Sequence, residues 1–377
     1  MTADRRALFE VPGPGAYLLS HSVGCLPRAA RDRLATQLLA PWAEQGSDGW
    51  PAWLTAIDTF RGAIAGLIGG HFADVCPQPS VSAALTAFLS GLRREPGRDI
   101  LLASAHAFPS IGFAMRKLER LGYRLALIPE HRDPADPQTW AEEIGPQVAA
   151  VVPMHVHSNS GLVSPIVEIA HLCRAAGATC IVDVCQAIGI LPVEPVRWGV
   201  DAIIGSSVKW LCGGPGAAFL WVRPDLVRAL EPINAGWFSH AEPFAFDIRD
   251  FRYADDARRF WGGTPAVAPY VIATAGIETM LGIGLDNVLA HNRLLIAALA
   301  GAADAAFDMR GRGGTLCITG SDVDAVEARL RAEDCRFDRR GAILRISFHL
   351  WNEEGEARGI GSVLRGRSVS LVQSAQA

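Results

Sequence analysis

Between residues 100 and 222 the chain repeats one pattern: a short apolar, β-favouring run, then a longer amphipathic stretch, then another apolar run. The runs at 100–103, 123–128, 148–152, 179–182, 202–204 and 217–222 are apolar on both alternating faces, so strands built from them must be buried on both sides. Between them, 111–121 and 165–176 carry helical spacing. Strands of this kind separated by helices imply a mostly parallel sheet covered on both faces. Ligands of such sheets bind beyond the carboxyl ends of the strands, so the residues just after each run are the ones to read for chemistry.

The pattern changes after about Asn234. Gly262-Gly263-Thr264-Pro265 leads into one long helical stretch, 269–291, followed by short strands at 315–319 and 343–347 and helices at 322–332 and 354–364. That is an α+β arrangement. The division expected is an N-terminal segment, 1–45, packing with the small domain, a large domain, 46–240, and a small C-terminal domain, 241–377.

Composition sets outer limits. Half of the residues are apolar and 20% are charged, as in a compact globular enzyme, and a net charge of -4 gives no global basic field to recruit nucleic acid or an anionic membrane. The short arginine stretches Arg310-Gly311-Arg312 and Arg336 to Arg340 read as solvated faces. Cysteines at 25, 76, 173, 180, 185, 212, 317 and 335 form no CxxC pair, which fits a reduced, cytoplasmic protein. The first residues lack the apolar core of a signal peptide, and no run approaches the roughly 20 apolar residues of a membrane helix.

Two strand ends carry the decisive pair. The fourth run ends in Asp183, and the fifth is followed by Gly205-Ser206-Ser207-Val208-Lys209 and the glycine-rich Gly213-Gly214-Pro215-Gly216. A lysine that condenses with an aldehyde and a carboxylate that keeps a pyridine nitrogen protonated are what pyridoxal phosphate chemistry requires. On spacing alone, an exposed lysine at a helix start and a capping aspartate remain the plainer alternative.

The surrounding blocks favour the first reading. These are Gln78-Pro79-Ser80-Val81-Ser82, Ala107-Phe108-Pro109-Ser110, His155-Val156-His157-Ser158-Asn159-Ser160-Gly161, Asp201 through Leu211, Gly236-Trp237-Phe238-Ser239-His240, Gly262-Gly263-Thr264-Pro265 and Leu344-Arg345-Ile346-Ser347-Phe348-His349. Together, and in this order, they resemble the fold type I pyridoxal phosphate enzymes of the aminotransferase class V superfamily, in particular its kynureninase-like group. The resemblance implies a large domain with a mostly parallel seven-stranded sheet in an α/β/α sandwich and a smaller α+β C-terminal domain. Lys209 would carry the cofactor as a Schiff base and Asp183 would hold its ring nitrogen, with Phe108 stacking on its face. Ser80, Val81 and Ser206 would bind the phosphate, and His157 and Gln186 would lie near the 3-oxygen. Trp237 would line the site, and Thr264 would reach the phosphate of a neighbouring subunit in a homodimer. Arg345 would grip the α-carboxylate of an amino-acid substrate, the reaction passing through an external aldimine and a quinonoid.

Each block has a bland counterpart when taken singly: a serine N-cap for Ser80, a core ring for Phe108, a surface arginine for Arg345. The two histidines at 155 and 157 lack further ligands at metal spacing.

Three departures bear on the reaction. Val208 stands where kynureninases have a tyrosine, and Gln186 where they tend to have a histidine; Ile111 replaces an aspartate often seen after the stacking segment. Side-chain cleavage, as by a kynureninase-like lyase or hydrolase, is slightly preferred, with a class V aminotransferase as the alternative. Cysteine desulfurase chemistry fits poorly, because Cys317 lies in an apolar strand pattern and Cys335 follows two acids. A catalytically inactive binding protein of the same fold should have lost the lysine or the aspartate, and a nucleotide-binding protein should show a Walker-type or GxGxxG loop. If Trp50, Trp53, Trp237, Phe238 and Trp261 reach the pocket, they would favour a bulky or apolar substrate side chain.

Overall fold

The computed structural model describes residues 5–372. The large domain is organised on a seven-stranded sheet. Its strands, in chain order, are β1 (Val75–Gln78), β2 (Ile100–Ser104), β3 (Arg124–Ile128), β4 (Val148–Val151), β5 (Thr179–Asp183), β6 (Ala202–Ser206) and β7 (Ala218–Val222). Across the sheet they lie in the order β1-β7-β6-β5-β4-β2-β3. β7 runs antiparallel to both its neighbours and the other pairings are parallel. The apolar runs behave as their composition requires: β7 is buried at every position, and β2, β5 and β6 at nearly every one. β1, which its sequence does not announce as a strand, pairs along β7 at the sheet edge.

Helices α1 (Trp50–Ile68), α2 (Val81–Ser90), α3 (Pro109–Lys117) and α4 (Ile166–Ala176) belong to the same domain. The long helical stretch expected over 269–291 is two helices, α5 (Ala268–Ile283) and α6 (Leu285–Ala302), meeting at a 78° bend. Gly284 makes the break: its φ of +90° lies outside the helical region and is open to glycine without strain. No single helix among the described residues is long and apolar enough to cross a membrane.

The C-terminal domain has its own four-stranded antiparallel sheet. Its strands are β8 (Thr315–Gly320), β9 (Asp338–Arg340), β10 (Ile343–Ser347) and β11 (Val369–Leu371), in the order β9-β10-β8-β11, with helices α7 (Val323–Ala332) and α8 (Glu354–Leu364). The N-terminal segment is shared between the domains. Leu19 bridges Ser347, and Ala16 and Leu18 sit in the small-domain core. Gly24 N–H, by contrast, donates to the Val208 carbonyl of the large domain at 2.8 Å.

A separate apolar cluster joins all three parts: Phe9 and Cys25, Trp210 and Cys212, and Leu350 and Trp351. Within it His349 stacks on Trp351 at 4.5 Å and on Trp210 at 5.8 Å. Burying one tryptophan of this kind is worth roughly 4–6 kcal/mol of gross transfer free energy, an upper bound given residual burial in the unfolded chain. Because Trp210 follows Lys209 directly, the same packing that ties the domains together fixes the lysine loop.

Candidate active site

The sheet register gathers the site. Gln78 of β1 and Ser206 of β6 both lie opposite Ala218 of β7, so β1 and β6 end at one edge. Asp183 ends β5 beside Ile204, and Met154 just after β4 bridges Asp183. The residues singled out after β1, β2, β4, β5 and β6 therefore share the carboxyl edge, as a parallel sheet dictates.

Asp183 is buried, its Oδ1 accepting the Cys185 N–H at 2.8 Å. Cys185 reports on its surroundings. Burial pushes its thiol well above the ordinary range, the Asp183 carboxylate adds to that, and the Lys209 ammonium opposes it. The charges of both acid and amine are thus felt at this one side chain.

Lys209 follows β6 in a tight loop. Ser207 Oγ donates to the Ala217 carbonyl at 2.8 Å, Gly213 N–H to the Ser207 carbonyl at 2.8 Å and Cys212 N–H to the Lys209 carbonyl at 3.0 Å. A side chain at Gly213 would fall 2.5 Å from Ser207, and one at Gly24 would fall 2.3 Å from the Lys209 carbonyl oxygen. Only glycine permits both approaches.

Phe108 covers this loop because Pro109 follows it. A residue before proline is turned out of the helical region, and Phe108, with ψ of 137°, caps α3 with its ring outside the helix. Lys209 Nζ lies 5.9 Å from the ring centroid, and the Arg340 guanidinium carbon 5.5 Å from it. The ring is 37% exposed, which leaves it free to stack on a flat ligand.

Several buried polar atoms here lack a partner among the described residues: Gln186 Oε1, His157 Nδ1 and His155 Nδ1. Gln186 Nε2 donates to the His21 carbonyl at 3.0 Å, and His157 Nε2 pairs with Ser164 Oγ at 2.8 Å. Burial lowers the His157 pKa to about 3 and the His155 pKa to about 4, so both rings are neutral at pH 7. Unsatisfied buried polar groups cost free energy unless a ligand or water meets them. A polar-rimmed aromatic cofactor with an aldehyde for Lys209 and a basic ring nitrogen for Asp183 fits this donor set.

Ser80 is the N-cap of α2, its Oγ accepting the Ala83 N–H at 3.1 Å, and Val81 opens the helix. Ser206 Oγ accepts the Val208 N–H at 3.4 Å. The free amides at the α2 N-terminus and the hydroxyl ending β6 suit a phosphate.

Trp237 and Thr264 meet each other instead, Trp237 Nε1 donating to Thr264 Oγ1 at 3.1 Å. Trp237 packs with Trp50, Phe238, Phe244 and Phe246, and Trp50 with Trp53. Among the described residues none of these rings pairs with that of Phe108, and Trp50, Trp53, Trp237 and Phe238 form a cluster of their own.

Arg345 is 0% exposed. Its Nε donates to Asp338 Oδ1 at 2.8 Å, its Nη2 to Asp338 Oδ2, and its Nη1 to the Ser158 carbonyl at 2.9 Å. The expected carboxylate-gripping fork is thus already engaged by a carboxylate of the protein. His21 completes the group. Its Nε2 donates to Asp338 Oδ1 at 3.1 Å, and its Nδ1 lies 2.8 Å from Ser347 Oγ. Burial lowers the His21 pKa to about 4, the Asp338 bond opposing this and the nearby Arg345 and Lys209 charges adding to it. Burial pushes the Asp338 carboxyl up, but the bonds from His21 and Arg345 outweigh it and hold it far below the usual range.

His21, Asp338 and Arg340 carry no motif visible in the sequence. Arg340 sits in an arginine stretch that reads as a solvated face, yet it is half-buried beside Phe108. No group of three or more His, Cys, Asp or Glu among the described residues could hold a metal ion.

Comparison with known proteins accords with this geometry. The uncharacterized aminotransferase YcbU of Bacillus subtilis is 27% identical over 315 residues, 82% of this chain and 83% of that protein. The kynureninase of Deinococcus radiodurans is 29% identical over 291 residues, 75% of this chain and 70% of its own. The fold superposes on a mutant of C-DES with glycine covalently linked to the PLP cofactor, with a TM-score of 0.83 at 19% identity, covering 95% of this chain and 98% of that one. It also superposes on the apo cysteine desulfurase of Thermococcus onnurineus, with a TM-score of 0.78 at 18% identity over 93% and 94% of the two chains. The aminotransferase class-V family model matches residues 53–310, a span that holds Lys209, Asp183 and Phe108. The chain is a member of the aminotransferase class V family of pyridoxal-phosphate-dependent enzymes.

Proposed function

We propose that this enzyme acts on an α-amino acid with Lys209 as the cofactor-bearing and proton-moving amine, and that it cleaves a bond in the substrate side chain. The observation that carries the reading is that Asp183 ends β5 and Lys209 follows the adjacent parallel strand β6, with Lys209 Nζ 5.9 Å from the Phe108 ring centroid. Bound pyridoxal phosphate supplies an electron sink that acidifies the substrate α C–H. Asp183 would hold the proton on the pyridine nitrogen, its buried carboxylate worth more there than in water. Phe108 would exclude water from one ring face. Ser80, the Val81 amide and Ser206 would receive the phosphate, while His157 and Gln186 would offer their unpartnered atoms to the 3-oxygen. Lys209 would be the base that takes the α-proton and returns it.

Kynureninases among the relatives support side-chain cleavage. Val208 supports the second reading, transamination, because an aliphatic side chain beside Lys209 cannot relay a proton to a leaving group. A persulfide-forming desulfurase is disfavoured: burial is the leading cause that pushes the Cys317 and Cys25 thiols up to about 12, and it raises the Cys335 thiol too.

The assembly we propose is a homodimer in which Thr264 and the Trp237 cluster face the neighbouring subunit's phosphate. Phe246 at 77% exposure and Ile248 at 99% flank that cluster, apolar surface of the kind a second copy covers. Cys25, Cys76, Cys185 and Cys317 are buried free thiols, which suits a reducing, cytoplasmic setting.

Reconstitution tests the reading. The protein should turn yellow with pyridoxal phosphate, Lys209→Ala should lose the colour that depends on covalent attachment, and an amino-acid panel assayed for keto acid, ammonia and cleaved product should separate the two reactions. A protein that never takes up the cofactor would refute it.

A further inference from the structure

The backbone of Phe108 is held from a neighbouring strand end by a sulfur atom. The chain between β2 and α3 is otherwise tied to itself and to β3. Ala105 N–H donates to the Ile128 carbonyl at 2.9 Å, His106 N–H to Ser104 Oγ at 3.1 Å and Ala107 N–H to the Ser104 carbonyl at 2.9 Å. Phe108 N–H lies just outside α3, where no carbonyl of the helix can accept it. It donates instead to Met154 Sδ at 3.2 Å, and among the described residues it has no other acceptor. A thioether is a weak acceptor, but its unbranched chain can reach an amide that no strand carbonyl reaches.

Met154 also stands beside Asp183. Asp183 N–H donates to the Pro153 carbonyl at 2.9 Å and His155 N–H to the Asp183 carbonyl at 2.8 Å, so a parallel ladder brackets Met154. Residues paired in this way present their side chains to the same face of a sheet. On that face Asp183 offers its carboxylate, and Met154, only 3% exposed, holds the residue whose ring lies 5.9 Å from Lys209 Nζ. One buried side chain thus links the strand end that carries the acid to the loop that carries the ring.

We propose that Met154 is a positioning residue for the cofactor, its thioether setting where the Phe108 ring stands relative to Asp183 and Lys209. This rests on the reading of Phe108 as the ring that stacks on pyridoxal phosphate.

The experiment titrates cofactor-free protein with pyridoxal phosphate and reads the apparent Kd and the visible circular dichroism of the bound form. Met154→Leu keeps the bulk and removes the acceptor; it should weaken the cofactor about 3- to 10-fold, the scale of one neutral hydrogen bond, and alter the dichroic band. Met154→Gln, whose side-chain carbonyl can accept at similar reach, should recover most of both. In Phe108→Ala protein, which keeps the amide but has no ring, Met154→Leu should cost nothing further. Met154→Ile supplies a second acceptor-free side chain, with the same two readings, if Met154→Leu does not fold. An acceptor-free variant that matches the unsubstituted protein in both readings would overturn the proposal alone. So would a full loss repeated in the Phe108→Ala background, which would make Met154 plain packing. Failure of the unsubstituted protein to colour would instead bring down the functional reading beneath it.

Discussion

The two sides of the site are prepared in opposite ways. On the large-domain side, Gln186, His157 and His155 keep buried polar atoms without partners, and Phe108 leaves a ring face open. On the small-domain side, His21, Asp338, Arg345 and Ser347 satisfy one another so fully that little remains for a ligand. One side is unfinished until something binds; the other is finished as a scaffold. Chemistry should therefore reside on the first side and stability on the second.

The strongest challenge to that contrast is Asp183→Asn. The amide is isosteric and its oxygen can still accept the Cys185 N–H, so folding and cofactor uptake should persist while turnover falls about 10²- to 10³-fold, the scale for losing one preorganised electrostatic contact. A variant that unfolds instead would show that Asp183 belongs to the scaffold. Asp338→Ala is the converse. It strands the fully buried Arg345 without its partner and should cost about 3 kcal/mol, the low end for breaking a buried pair because Asp338 is 30% exposed. Urea unfolding should register that loss whether or not cofactor is bound.

A third effect comes from pH. Burial lowers the pKa of His21 and His349 to about 4 and of His157 to about 3, from an ordinary 6.5. The folded pKa lies below the unfolded one, so between these values the unfolded chain binds more protons and stability falls as pH falls. Each ring's contribution is complete above about 6.5 and drains away toward 4 at a limiting slope on the order of 1.4 kcal/mol per pH unit. The urea midpoint should drop over that window, and His157→Gln should flatten the slope; a midpoint level from pH 7 to pH 4 would contradict the neutral buried rings.

Much of this was legible in the sequence. Runs apolar on both faces can be buried only in a covered sheet, and parallel strands put Asp183 and Lys209 at one edge whatever else the chain does. Pro109 fixed the direction of Phe108 by local sterics, and Gly213 marked the tight loop after Lys209. Break points that depend on a single φ were less visible: the bend at Gly284 interrupts a helical pattern that continues on both sides.

What the sequence could not determine was which distant charges would meet. His21 and Asp338 are held together only by docking of the N-terminal segment onto β10, and nothing local marks either of them. Arg340 and Arg345 are separated by one short turn and look alike as residues, yet the tertiary structure closes one with a carboxylate and leaves the other beside the Phe108 ring. Local sterics and apolar periodicity act over a few residues and can be read directly. The partner of a charge is set by which chain segments fold against each other, and that is decided only when the domains pack.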